Sequence, residues 1–152
     1  MTVNATTITG KQYTGGLVGL SDGSVALTVN AYNNGASWTN STVSSSVNGT
    51  SNVGGVVGYS YAPVNIYSTI FQGTQVVGNS SNVGGLIGLG SPYYGIDIKN
   101  SSISIPSGGS GIQGTNNVGG FVGYLQLGFN LQFDNSITGT APQSNAVVYA
   151  ST

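Results

Sequence analysis

The chain has 152 residues, only 3% of them charged, a formal net charge of −1, and neither Cys nor His. Two lysines without any arginine cannot neutralise a phosphate backbone, which argues against nucleic-acid binding, and the missing His and Cys remove the usual zinc sites and catalytic triads. No apolar run is long enough for a membrane-spanning helix, so no membrane insertion is expected. Hydrophobic residues make up 38% of the chain. That share, with so little charge, favours a folded chain over a disordered one.

The opening segment, about residues 1–14, reads as the closing part of a repeat, and its polar start carries no apolar signal core. Gly15-Gly16 then begins a unit that recurs at Gly54-Gly55, Gly84-Gly85 and Gly119-Gly120, with spacings of 39, 30 and 35 residues. Periods in this range belong to solenoids, propellers and arrays. The units run about 15–53, 54–83, 84–118 and 119–152, all within one domain, 1–152. Each reads Gly-Gly-apolar-apolar-Gly, a turn, an alternating strand, an Asn-Ser step, and a shorter Ser/Gly-rich strand. The steps are Asn40-Ser41, Asn100-Ser101 and Asn135-Ser136, with Tyr67-Ser68 standing in for the second unit.

The period inside each unit is two. Val25, Leu27 and Val29 alternate with small or polar residues, as do Ile96 and Ile98, and then Leu131 and Phe133. That is strand patterning with one buried face, and no segment offers the i, i+3, i+4, i+7 pattern of a helix. The extra length of the first unit is assigned to a loop or hairpin around Asn34-Gly35, with Trp38 covering apolar surface.

The expected fold is all-β: a parallel β-helix, or β-solenoid, of about four coils, with essentially no helix. Stacking equivalent residues gives three ladders. Asn52, Asn82 and Asn117 precede the glycine pair and stack their amides at a turn. Val18, Val57, Ile87 and Val122 form an inward apolar ladder. Lys99 and Asp134 lie equally far beyond the glycine pairs of their own units, and should sit side by side, facing outward as a charge pair. Leu17, Val56, Leu86 and Phe121 are opposite in parity to the inward ladder, which leaves open whether they face solvent or a neighbouring chain. The final segment, NAVVYAST, is aligned with the part of a repeat that precedes a glycine pair.

The tetrads Gly16-Leu17-Val18-Gly19, Gly55-Val56-Val57-Gly58, Gly85-Leu86-Ile87-Gly88 and Gly120-Phe121-Val122-Gly123 resemble the GLUG repeat, named for Gly-Leu-hydrophobic-Gly. The resemblance spans nearly the whole chain. It implies a solenoid in a large surface or secreted protein of bacteria or protists, and it brings no catalytic residues.

Little chemistry is expected of this sequence. The Gly-Gly-x-x-Gly spacing, with no helix after it and no accompanying Lys, does not fit a phosphate-binding loop, so no cofactor is expected. Three carboxylates, Asp22, Asp97 and Asp134, are too few and too scattered for a glycosidase or lyase, and the chain is read as a non-enzyme. A regular Thr-x-Thr ice-binding ladder starts near Thr7 and Thr42 but does not continue. Tyr61, Tyr93 and Tyr94 fall in the turn after the glycine strand and are candidates for contact with a glycan or partner. Asn4, Asn40, Asn48, Asn79 and Asn100 open glycosylation sequons. The function expected is structural: an extracellular or cell-surface glycoprotein subunit that stacks head to tail with itself, or with neighbouring repeats of a longer chain, into a filament, stalk or coat. The alternative is an adhesin or carbohydrate-binding module.

Overall fold

A computed structural model describes residues 1–23, 25–29, 40–90, 95–126, 131–134, 139–140 and 148–150, the last three segments as backbone. Every regular element among them is a short strand, and all strand pairs are parallel. Five sheets run the length of the molecule. In the second coil the chain visits them as Ser41–Val43, Ser46–Gly49, Ser51–Gly54, Val57–Ser60 and Val64–Tyr67, called sheets I to V. It then rises one coil and repeats. The molecule is a parallel β-solenoid.

The core follows from the period-two pattern. Val43, Phe71 and Ile103 stack on sheet I, Val47, Val76 and Ile112 on sheet II, and Val29, Ile66 and Ile98 on sheet V. All are buried, and they meet in a single cluster. Val18, Val57, Ile87 and Val122 stand in register on sheet IV, and all but Val18 are fully buried.

The glycine motif forms an arch between sheets III and IV. Val56 N and Val57 N both donate to the Leu86 carbonyl of the next coil, at 2.9 and 2.8 Å, so the chain turns between two consecutive inward-facing residues. This resolves the parity question: Val56 and Leu86 are 0% exposed and Phe121 6%, all facing the core. The glycines are needed for proximity and not for unusual torsions, since none of these pairs has positive φ. A Cβ on Gly88 would lie 2.6 Å from Asn52 C and Gly58 O, because strands III and IV press backbone on backbone with no side chain between.

The left-handed corners are taken by other residues. Asn52, Asn82 and Asn117 have φ of 52°, 58° and 51° just before the arch. Asn tolerates this region because its short amide bonds locally. Here the amides also link the coils: Asn117 Nδ2 donates to Asn82 Oδ1 at 2.8 Å, and Asn82 Nδ2 to Asn52 Oδ1 at 2.7 Å. Their neighbours Val53, Val83 and Val118 are paired in register. A second left-handed corner lies between sheets V and I, at Ser68 (φ 43°) and Asn100 (φ 49°).

Several expectations need correcting. The step of the second unit is Ser68-Thr69, one residue later than Tyr67-Ser68, because Tyr67 pairs with Lys99 and Ser68 therefore matches Asn100. The following hydroxyl is what repeats. Ser101 Oγ donates to Lys99 O at 2.9 Å, Thr69 Oγ1 donates to Tyr67 O at 3.0 Å, and Thr69 N donates across the coils to Ser101 Oγ at 3.1 Å. These bonds satisfy a buried corner that backbone partners alone would leave short. Val25 does not join the strand: it is 80% exposed, and the strand is Leu27–Val29. Val148 pairs with Val122, so the final segment enters the sheet IV ladder instead of preceding a glycine pair. The extra residues of the first unit fall between Val29 and Val43, whose counterparts Ile66 and Phe71 are close in sequence. Asn34, Gly35 and Trp38 lie outside the described residues, as do Asn135 and Ser136.

Candidate functional site

The first coil differs from the others chemically. Its strands Thr2–Val3, Thr7–Thr9, Gln12–Gly15, Val18–Ser21 and Leu27–Val29 each pair on one side only among the described residues. Its inward residues Val3, Ile8, Leu17, Val18 and Leu27 are half-buried, while Val43, Val47, Val56, Val57 and Val64 of the next coil are 0% exposed. An open strand edge lying over uncovered apolar side chains is a template for further pairing.

The same coil ends the asparagine ladder with a tyrosine. Gln12 and Thr14 pair with Ser51 and Val53, which places Tyr13 in the slot of Asn52. Tyr13 holds φ 54° without a short amide to support it, an uncommon state for a bulky residue. Its ring packs on Tyr59, with centroids 5.2 Å apart and planes at 35°, and Tyr59 in turn meets Tyr61 at 4.4 Å and 54°. Tyr59 is 5% exposed and Tyr61 45%, while Leu20, paired with Tyr59 on sheet IV, is 42% exposed. Burial above all, then hydrogen bonding to Tyr61 and the negative charge of Asp22, push the Tyr59 phenol far above its ordinary range. The result is an aromatic cluster with one covered ring, one open ring and an apolar rim. Beside Tyr13, Thr14 takes the ladder position of Val53 but keeps a buried hydroxyl with no partner among the described residues.

A second polar group sits on sheet V. Asp97 Oδ2 accepts from Tyr67 Oη and from Lys99 Nζ, each at 2.9 Å, and the ammonium lies 5.7 Å from the Tyr67 ring centroid. Burial and the bond to Asp97 raise the Tyr67 phenol. Lys99 and Asp134 do pair as backbone neighbours. Among the described side chains Lys99 also forms an ion pair with Asp97, two residues earlier on the same strand face, a partner that coil spacing does not indicate. The side chain of Asp134 lies outside the description, as do Tyr93 and Tyr94.

Of the sequon asparagines, Asn4, Asn40, Asn79 and Asn100 are exposed. Asn48 is half-buried in a strand, and its Oδ1 accepts from Gln75 Nε2 at 2.8 Å. Asn48 and Asn79 line a shallow groove of about 290 Å³ that Val77 also lines.

Sequence reasoning misses the tyrosine cluster, although a signal is present: Tyr13 stands two residues before Gly15, as Asn52 stands two before Gly54. Among the described residues no three His, Cys, Asp or Glu converge to hold a metal, and no helix is long and apolar enough to cross a membrane. Comparisons of the chain with protein-family models, with curated proteins and with solved structures found no match.

Proposed function

We propose that the chain is a structural, non-enzymatic subunit of an extracellular or cell-surface assembly. In it β-solenoids stack head to tail, copy on copy or against neighbouring repeats of a longer chain, into a filament, stalk or coat. The first coil carries this reading: among the described residues all five of its strands keep an open edge, above apolar side chains of the kind that the next coil buries. A contact between one end and the opposite end of another copy does not close on itself and so propagates. With a net charge of −1 there is little electrostatic repulsion to oppose it. The extracellular setting rests on the five sequons, four of them with exposed asparagines, and on the GLUG-like tetrads.

Electron microscopy of the purified chain over a concentration series tests the proposal. Fibres that lengthen with concentration are expected. A double substitution, Val3→Lys with Ile8→Lys, puts two charges on the open end and should dissolve them. Discrete particles at every concentration, or fibres indifferent to the lysines, would refute end-to-end stacking.

A second reading is an adhesin or carbohydrate-binding module, and the exposed Tyr61 ring beside Tyr59 and Leu20 favours it, because an open aromatic face offers an apolar surface with a polar handle to a sugar ring. Retention on immobilised neutral glycans that Tyr61→Ala removes, with sedimentation unchanged, would select this reading over the filament.

A further inference from the structure

Tyr59 and Tyr61 are neighbours for a reason independent of either reading. Residue 60 points its side chain into the corner, where Ser60 Oγ donates to Ala62 O at 2.9 Å and accepts from Ala62 N at 3.2 Å. Tyr61 N donates to Ser21 O of the preceding coil at 2.8 Å. The backbone of the corner is therefore fixed from within its own coil and from the coil below. The two rings that leave it are held with centroids 4.4 Å apart and inclined at 54°. Tyr13 closes the far side of Tyr59 at 5.2 Å. One ring is 5% exposed and the other 45%, so one is shielded and the other open to a reagent.

We propose that Tyr59 and Tyr61 form a site of oxidative phenol coupling, joined through their ring carbons ortho to the hydroxyls when the chain meets a peroxide-driven one-electron oxidant. Each phenol loses one electron and one proton and becomes a phenoxyl radical. The radicals combine to form one carbon–carbon bond, and each ortho carbon then releases its proton while its ring regains the phenol. The chain loses two hydrogens in all, and one peroxide is reduced to two waters. Holding both rings in contact makes the coupling step effectively unimolecular, the advantage that oriented partners have over free ones. The biaryl bridge spans Ser60 and fastens the corner where sheet IV passes to sheet V.

The test is treatment of the dilute 152-residue chain with hydrogen peroxide and a haem peroxidase. The expected result is dityrosine fluorescence, an intact mass lower by two hydrogens, no change in sedimentation, and a proteolytic fragment containing both Tyr59 and Tyr61. Tyr61→Phe, a change at an exposed ring whose fold is checked by far-UV circular dichroism, should abolish the intrachain product, and Tyr124→Phe should leave it. Coupling that survives Tyr61→Phe, that maps to other tyrosines or that arises only between chains would overturn the proposal. A folded chain that yields no intrachain bridge under conditions that couple free tyrosine would overturn it equally.

Discussion

Asn82 is the centre of the amide ladder, and two substitutions there separate the two jobs it does. Its side chain donates to Asn52 and accepts from Asn117, at 2.7 and 2.8 Å, and its backbone holds φ 58°. Asn82→Ala removes both bonds and places a Cβ-bearing residue without a local amide in the left-handed region. Each bond contributes about 0.5–1.5 kcal/mol. The position is half-buried, so water replaces part of what is lost. The left-handed conformation adds about 1 kcal/mol for alanine. The expected loss is about 2–4 kcal/mol in total. Asn82→Gly also loses both bonds, but glycine enters this region without strain, so it should be the less damaging change by about 1 kcal/mol. Urea unfolding followed by far-UV circular dichroism measures the difference, with the slope expected to stay constant between variants. If Gly is no better than Ala, the backbone argument is wrong. If both unfold with the parent chain, the ladder contributes nothing.

Other outcomes follow from single positions. Thr14→Val replaces a buried, unpartnered hydroxyl with the methyl that the next coil already uses. It should stabilise the chain by about 1 kcal/mol, and a lower thermal midpoint would refute it. Gly88→Ala drives a Cβ to 2.6 Å from backbone atoms of two strands. It should cost more than about 4 kcal/mol or prevent folding, as read by yield and circular dichroism. Gly108 stands in open space at φ 87°. By the same measurements Gly108→Ala should cost only about 1 kcal/mol, and comparable damage at both glycines would overturn the close-packing account. Tyr59 and Tyr67 have phenols raised by burial first. The folded chain therefore keeps protons that the unfolded chain releases above pH ~10. The stability they contribute is fully present below that pH and is lost as the pH rises through the folded values. Unfolding midpoints should be insensitive to these groups at neutral pH and fall in alkali, with Tyr59→Phe flattening the fall. A midpoint that rises above pH ~10 would contradict the sign.

The fold is legible in the sequence because glycine spacing and period-two alternation are both direct consequences of stacked coils. The asparagines before the arch are legible for the same reason, recurring at a fixed distance from the glycines. Two misreadings have physical causes. Leu17, Val56, Leu86 and Phe121 read as outward when parity is carried through the arch, whereas the chain turns there and parity resets. Matching Tyr67-Ser68 to the Asn-Ser steps places the corner one residue early, because it keys on the serine itself. The corner selects instead a residue that tolerates positive φ followed by a hydroxyl, and Ser68-Thr69 meets that need without an asparagine. Coil spacing matches Lys99 to Asp134, and the two stand in register, while the ion pair with Asp97 arises within one strand, where spacing between coils carries no signal. The tyrosine cluster depends on contacts among three positions on two coils, which no single repeat displays.

The arch between sheets III and IV also decides where this solenoid can change. From Gly15 to Val18, Gly54 to Val57, Gly84 to Ile87 and Gly119 to Val122 the step is the same in these four coils. The passage from sheet V to sheet I varies instead: it is long from Val29 to Val43, but short and equal from Ile66 to Phe71 and from Ile98 to Ile103. The arch therefore acts as an index mark that resets register once per turn, and an insertion at the V–I corner is absorbed before it can shift the next coil. Foreign peptides grafted at that corner would be displayed at axial intervals of one coil, about 4.8 Å. A single residue added within the arch would throw every ladder above it out of step.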